Sequence, residues 1–364
     1  MYTQPTFSRF LLGVAGVTLI AGLFSCQTQN NPPAAVSPAP TAESGKVSLT
    51  GAGASFPAPL YQRWSSAYNE TNPNVQISYQ SVGSGAGVNQ FLAGTVDFGA
   101  TDAPLTDKER QQYQTQYNGE PVQIPMTGGA VVFAYNLGGD VKNLRLSRQA
   151  YCGIVTGELT NWNDPQIAQD NPGANLPNSP INFVHRSDGS GTTFIFTNHI
   201  AAACPNWKAG VGKSVSWPTG AGAKGNEGVT AQIQQTQGAI GYIEYSYAVN
   251  NNLNFATLEN RSGQFVAPSP ETAARVLEGQ QIPADFALEV PDPTDQQAYP
   301  IVGLTWLLLY HSYADPQKAV ALQNFVKWAL NEGDKYAVEL GYLPLTNEVA
   351  QRVVTTVDQQ IAQR

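Results

Sequence analysis

The stretch HRSDGSGTTF, His185–Phe194, sets a cation and a carboxylate ahead of a glycine-flanked serine and two threonines. The residues leading into it, INFVHR (Ile181–Arg186), are dense in β-branched and aromatic side chains and read as a strand, while Ser190, Gly191 and Thr192 read as the opening of a helix. A strand, a glycine-rich turn and a helix start aim unpaired backbone N–H groups and the positive end of the helix dipole at one point. The loop therefore suits an anion. It lacks the lysine that a nucleotide-phosphate loop carries, and Arg186 supplies a planar cation able to make paired hydrogen bonds to a tetrahedral oxyanion. Asp188 is positioned to fix that arginine.

The same arrangement is expected twice more. In TGAGASFPAPLYQRW (Thr50–Trp64) Ser55 can cap a helix in which Pro57 and Leu60 follow at once, and in SVGSGAGVNQFLAG (Ser81–Gly94) Ser84 sits among glycines between a strand and a short helix. A serine before a helix is ordinarily just a cap, but three such loops in one chain suggest hydroxyls and helix starts converging on one ligand. Val96, Phe98 and Ala100 alternate as a buried strand and deliver Thr101 and Asp102 to its carboxyl end, where α/β sheets hold their ligands. A carboxylate there repels an anion unless the anion brings a proton to donate. Phosphate keeps one or two protons near neutral pH and sulfate keeps none, so Asp102 favours phosphate over sulfate or molybdate.

Elsewhere, short β-rich runs alternate with helical ones, the pattern of an α/β fold. VQISYQSV (Val75–Val82) and AVVFAYNL (Ala130–Leu137) read as strands; Thr106 with Glu109 forms a capping box, and Asp164 and Asp315 each cap a helix ahead of a proline. Near the C-terminus, Val320, Phe325, Trp328 and Leu330 recur at helical spacing and are expected on a core-facing side.

The N-terminal segment reads as an export signal: Arg9, an apolar run from Phe10 to Phe24, then Ser25-Cys26, with residues 1–25 as a lipoprotein signal peptide and Cys26 as the lipid anchor. An ordinary signal peptide followed by an incidental cysteine is the alternative. Residues 26–45 hold four prolines, a single charge and no aromatic residue, the composition of a flexible tether. Outside that tether only Cys152 and Cys204 remain, an even pair that an oxidising compartment would join in a disulfide or that would stay as two buried thiols. The three histidines are far apart in sequence and no CxxC occurs, so neither a metal site nor a cofactor is expected. A net charge of −8 argues against nucleic acid as a partner. Small anions are not excluded, because surface charge is screened over roughly 10 Å of saline.

From about Val47 onward the chain resembles the periplasmic phosphate-binding proteins of bacterial ABC-type phosphate importers. The resemblance is carried by LTGAGASFPAPLYQRW, GSGAGVNQFLAGTVDFGATDAPLT, LTNWNDPQIAQDNPG, HRSDGSGTTFIFTNHI, GAKGNEGV and GAIGYIEYSYA. It implies a two-lobed periplasmic-binding-protein fold, type II-like, with a mixed sheet flanked by helices in each lobe and crossing strands between them. The expected division is 46–128 plus 305–364 for domain one and 129–304 for domain two. The implied phosphate-binding set is Ser55, the Phe56 backbone N–H, Ser84, Asp102, Arg186, Ser190, Gly191 and Thr192, with Asp188 supporting Arg186. Gly85 stands where relatives carry a second serine, Ser55 where threonine is common, and His185 where some have arginine. The resemblance further implies a monomeric carrier that hands phosphate to a membrane permease driven by a cytoplasmic ATPase. A secreted phosphatase using Ser190 with His185 or Asp188 is the enzyme alternative, for which the sequence marks no third catalytic member.

Overall fold

The computed structural model describes residues 45–138 and 141–363. The expected signal peptide, the tether up to Ser44 and the Cys26 anchor lie outside the described residues. The chain opens with β1 (Val47–Gly53), α1 (Ala58–Thr71), β2 (Val75–Ser81), α2 (Ser84–Leu92), β3 (Phe98–Thr101), α3 (Asp107–Tyr117) and the long β4 (Val122–Asn136). There follow β5 (Arg145–Leu146), α4 (Arg148–Thr156), α5 (Pro165–Asp170), β6 (Asn182–Arg186), α6 (Gly191–Ala203), β7 (Ala221–Ala223), α7 (Gly225–Gln235), β8 (Ala239–Glu244) and α8 (Tyr245–Asn250). A small-stranded stretch, β9 (Asn254–Phe255), β10 (Thr257–Glu259) and β11 (Phe265–Val266), leads through α9 (Pro270–Ala274) to β12 (Val302–Leu309). The end is β13 (Ser312–Tyr313), α10 (Pro316–Ala329), α11 (Asp334–Glu339), α12 (Asn347–Gln360) and β14 (Ala362–Gln363).

The principal sheet runs β2-β1-β3-β12-β4-β8-β6-β7, with β9 added to β4. It is two half-sheets sharing one strand. Up to Ala130, β4 pairs antiparallel with β12; from Val131 it pairs antiparallel with β8. The first half-sheet keeps β1 parallel to β2 and β3, and the second keeps β6 parallel to β7 and β8. Every residue of β4 except the last is buried, as expected of a strand covered on both faces. This is the mixed, helix-flanked α/β architecture of a periplasmic binding protein.

Local chemistry sets several helix starts where the sequence marks them. Thr106 and Glu109 form the capping box of α3, and Asp164 and Asp315 cap α5 and α10 with a proline at the first turn. Two expectations are corrected. Phe325 and Leu330 are buried as expected and Trp328 is partly buried, but Val320 faces solvent, because the face that α10 buries runs through Ala319, Leu322, Phe325, Val326 and Ala329. The strand seen in the sequence as beginning at Ala130 begins at Val122, since β12 pairs with this whole stretch, with Pro125 opposite Trp306 beside a bulge that passes over Met126.

Cys152 in α4 and Cys204 at the end of α6 are joined by a disulfide, their Cα atoms 5.5 Å apart. The bond ties down the far end of the helix whose start carries Ser190. Among the described residues no helix is long and apolar enough to cross a membrane.

Candidate anion-binding site

Strand carboxyl ends from both half-sheets meet at one buried cluster. Thr101 ends β3 and hands the chain to Asp102; Arg186 ends β6; α2, α6 and α7 start at Ser84, Gly191 and Gly225. Ser55, Ser84, Asp102, Arg186, Ser190 and Thr192 are all buried, Arg186 being 3% exposed and Asp102 1%. Burying that many polar groups is costly unless each has a partner. Their bonds identify what remains unused.

A hydroxyl has two lone pairs and one proton. Ser84 Oγ accepts from the N–H groups of Asp102 (3.2 Å) and Gly191 (3.1 Å). Ser55 Oγ accepts from the backbone N–H of Asn226 (3.0 Å) and from its Nδ2 (2.9 Å). Thr192 Oγ1 accepts from Asn226 Nδ2 (3.0 Å) and Arg186 Nη1 (3.3 Å). In each case both lone pairs are taken by N–H donors. Only the O–H is left to give, so these three side chains are committed to donating.

Ser190 caps α6, its Oγ accepting from Thr193 N–H, and its own N–H donates to the Lys213 carbonyl at 2.7 Å. Arg186 is gripped by Asp188 through two parallel bonds, Nε to Oδ1 at 2.8 Å and Nη2 to Oδ2 at 2.6 Å. Asp188 Oδ1 also accepts from Gly225 N–H. Burial opposes the charge on Asp188, but the Arg186 guanidinium outweighs it and holds the carboxyl below the usual carboxylate range. Phe56 is buried beside the cluster, with its carbonyl accepting from the Tyr342 hydroxyl at 2.7 Å.

Asp102 differs from its neighbours. Its Oδ1 accepts from the Thr305 hydroxyl at 2.8 Å, whereas Oδ2 is buried without a hydrogen-bond partner. Burial pushes its carboxyl up to about 7, against the opposing pull of the Thr305 hydroxyl, the Arg186 guanidinium and Ser84. The cluster thus offers several donors and, at Asp102 Oδ2, an acceptor with nothing to accept. A second buried acid, Glu244 at the end of β8, is pushed by burial up to about 8; its Oε2 accepts from Ser246 and Tyr342, and its Oε1, like Asp102 Oδ2, is buried without a hydrogen-bond partner.

The close approach of the two halves depends on missing side chains. A Cβ on Gly191 would fall 2.5 Å from both Asp102 Cβ and Ser84 Oγ. Gly83, at φ +89°, caps α2 in a conformation that L side chains rarely adopt, and a Cβ there would meet Asp188 Oδ2 at 2.2 Å.

Sequence reasoning erred on Ser55 as a cap: α1 begins at Ala58 without a side-chain cap, because the Ser55 hydroxyl is already held by α7. It also passed over Asn226, for which the one local signal was the glycine before it, opening a further helix after a strand. The geometry gives the phosphatase alternative no support. His185 stacks on Trp217 at 4.9 Å and bonds through Nδ1 to the Arg186 carbonyl, so its ring is engaged away from Ser190. Among the described residues no group of three or more His, Cys, Asp or Glu could hold a metal ion.

The family comparison agrees with this architecture. Residues 39–332 match the family model for the PBP superfamily domain. The phosphate-binding protein PstS of Pasteurella multocida strain Pm70 is 41% identical over 310 residues, which cover 84% of this chain and 88% of the relative. The chain belongs to the PstS family of phosphate-binding proteins. Its relatives are widely spread: the PstS of Haemophilus influenzae strain Rd is 40% identical across 84% of this chain and 91% of its own, and that of Methanocaldococcus jannaschii is 34% identical across 96% of both. Among solved structures, a periplasmic phosphate-binding protein, PfluDING, bound with phosphate at pH 8.5, superposes with a TM-score of 0.72 at 23% identity, covering 87% of this chain and all of that one. The phosphate-binding protein of Stenotrophomonas maltophilia follows at 0.69 and 22%, covering 85% and 93%. At that identity the structures speak for the fold.

Proposed function

We propose that this PstS-family protein binds inorganic phosphate in an extracytoplasmic compartment, without chemically altering it, and delivers it to the permease of an ABC-type importer driven by a cytoplasmic ATPase. The observation that carries the reading is the polarity of the cluster. Hydroxyls of Ser55, Ser84 and Thr192, with Arg186, can only donate, while Asp102 Oδ2 can accept. A tetrahedral anion that keeps one proton satisfies both requirements. Phosphate does and sulfate does not, and sites built to bond a ligand hydroxyl reject analogues without it by about four to five orders of magnitude.

The ligand set on this reading is Ser55, the Phe56 backbone N–H, Ser84, Asp102, Arg186, Ser190, Gly191 and Thr192, with Asp188 holding Arg186 in place. Residues 46–128 with 305–364 form one lobe and 129–304 the other. The change of partner along β4 at Ala130 and Val131 supports that division. Closure is then driven by contacts available only when both lobes face the ligand. The protein acts as a monomer, exported by residues 1–25, tethered by 26–45 and anchored through lipid on Cys26. The PstS names of its relatives support the transport role.

Equilibrium dialysis of the purified protein with labelled phosphate against excess sulfate tests the reading directly. Retention of phosphate despite sulfate is expected. Displacement by equimolar sulfate would remove phosphate as the cargo in favour of another oxyanion, and release of product from a phosphate ester would restore the enzyme alternative.

A further inference from the structure

Asn226 is fully buried at the second position of α7, and its backbone N–H and both ends of its side-chain amide are used at the cluster. Its Oδ1 accepts from Glu244 N–H at 2.9 Å, which fixes the orientation of the amide: the reverse placement would set N–H against N–H. Nδ2 is thereby turned toward Ser55 Oγ (2.9 Å) and Thr192 Oγ1 (3.0 Å), and the backbone N–H, one of the helix's free first-turn donors, completes the pair on Ser55. Ser55 precedes α1 beside the first half-sheet, whereas Thr192 opens α6 beside the second. One side chain sets both.

The chemical consequence is a matter of direction. Without the amide, each hydroxyl is free to rotate and to turn a lone pair toward an anion oxygen, which is repulsive. With the amide in place the lone pairs are consumed and the protons are what remain. A carboxylate of the same shape would do the opposite, drawing both hydroxyl protons onto itself.

Resting on the phosphate reading above, we propose that Asn226 is a positioning and specificity-determining residue: by donating to Ser55 and Thr192 from a backbone-fixed amide, it forces both hydroxyls to present protons, and so selects an acceptor-rich anion. Its role is the polarity of the site rather than its shape.

The test compares full-length wild type with Asn226→Asp and Asn226→Ala, measuring inorganic phosphate binding at pH 8 and pH 5.5 and thermal melts without phosphate. Asn226→Ala removes two donors and should weaken binding about tenfold at both pH values. Asn226→Asp keeps the volume but inverts the polarity; it should weaken binding at least about a hundredfold at pH 8, with much of the excess over Asn226→Ala recovered at pH 5.5 as the new carboxyl gains a proton. Asp102, Asp188, Arg186 and Glu244 surround the position in all three proteins, and Asn226→Ala, which adds no charge, reports the part of the pH dependence that belongs to them. Three results would overturn the proposal: Asn226→Asp binding within threefold of wild type, the two variants equally weak at both pH values, or loss of the native melt in both, which would assign Asn226 to the fold alone. Failure of wild type itself to bind phosphate is a different outcome, and it sinks the proposed function together with this inference.

Discussion

Lys213 reaches from the segment between α6 and β7 to Glu109 in the first turn of α3, Nζ to Oε1 at 2.5 Å, while its own carbonyl accepts the Ser190 N–H. The ion pair therefore joins an element flanking the first half-sheet to the loop that holds the start of α6. Burial of Glu109 works against its charge, but the lysine and the Thr106 N–H hold its carboxyl below the usual range. Both side chains are about one-fifth exposed, so the pair is partly open to solvent and to salt.

On the two-lobed reading proposed above, such a contact suits a latch that holds the lobes together. Lys213→Ala should speed phosphate dissociation about two- to fivefold with little change in the association rate, and the difference should shrink in high salt. Stopped-flow measurement at two ionic strengths checks this, and identical dissociation rates would show that the pair contributes nothing to closure.

Gly191 makes a sharper case. Because an added methyl would overlap Asp102 and Ser84, Gly191→Ala must hold the two sides of the cluster apart. The expected result is a loss of phosphate affinity of at least about a hundredfold, read by calorimetry, with a melt close to wild type when phosphate is absent. Near-normal affinity would mean that the ligand-bound arrangement leaves more room than this one.

How much of this could be read from sequence differs by element, for physical reasons. Ser190 was legible as a helix start because strand propensity, glycines and a cap fall within ten consecutive residues, and local chemistry decides all three. The first part of β4 was not, since Pro125 and the pair Gly128 and Gly129 break the strand pattern, and only pairing with β12, far along the chain, restores it. Ser55 looked like a cap because its neighbours are those of a cap. What takes its hydroxyl instead is Asn226, separated from it by 171 residues. The placement of Asp102 followed from alternation in a single short strand, but the orphaned Oδ2 is a property of everything packed around it.

The raised pKa of Asp102 makes anion selectivity depend on pH. As pH falls through about 7, Oδ2 gains a proton and changes from acceptor to donor, at which point a fully deprotonated anion becomes acceptable. Sulfate affinity should therefore rise as pH is lowered from 8 to 6, by up to about tenfold per pH unit, the slope of one linked proton. Asp102→Asn, which donates at every pH, should bind sulfate with no such slope. Competition dialysis across this range decides the matter; a flat profile for wild type would mean that Asp102 is not the discriminating group.

The same acid should cost the protein stability when no phosphate is bound. Asp102 and Glu244 both titrate higher in the folded chain than in the unfolded one, at about 7 and about 8, because burial disfavours their charged forms. A raised folded-state pKa contributes stability that is fully present below the unfolded value and is lost as pH climbs through the folded one. The phosphate-free protein should therefore melt at progressively lower temperature between pH 5 and pH 9. Asp102→Asn removes one of the two contributions, and its amide keeps the Oδ1 that receives the Thr305 hydroxyl. Each tenfold difference in proton affinity between the folded and unfolded chain is worth about 1.4 kcal/mol, so the gain amounts to a few kcal/mol at most, and each such kcal/mol moves the melting point by about 2–4 °C in a domain near this size. The variant should thus melt several degrees above wild type at pH 8, match it near pH 4, and bind phosphate far more weakly. A variant that melts below wild type at pH 8 would mean that Asp102 supports the fold rather than straining it for the ligand.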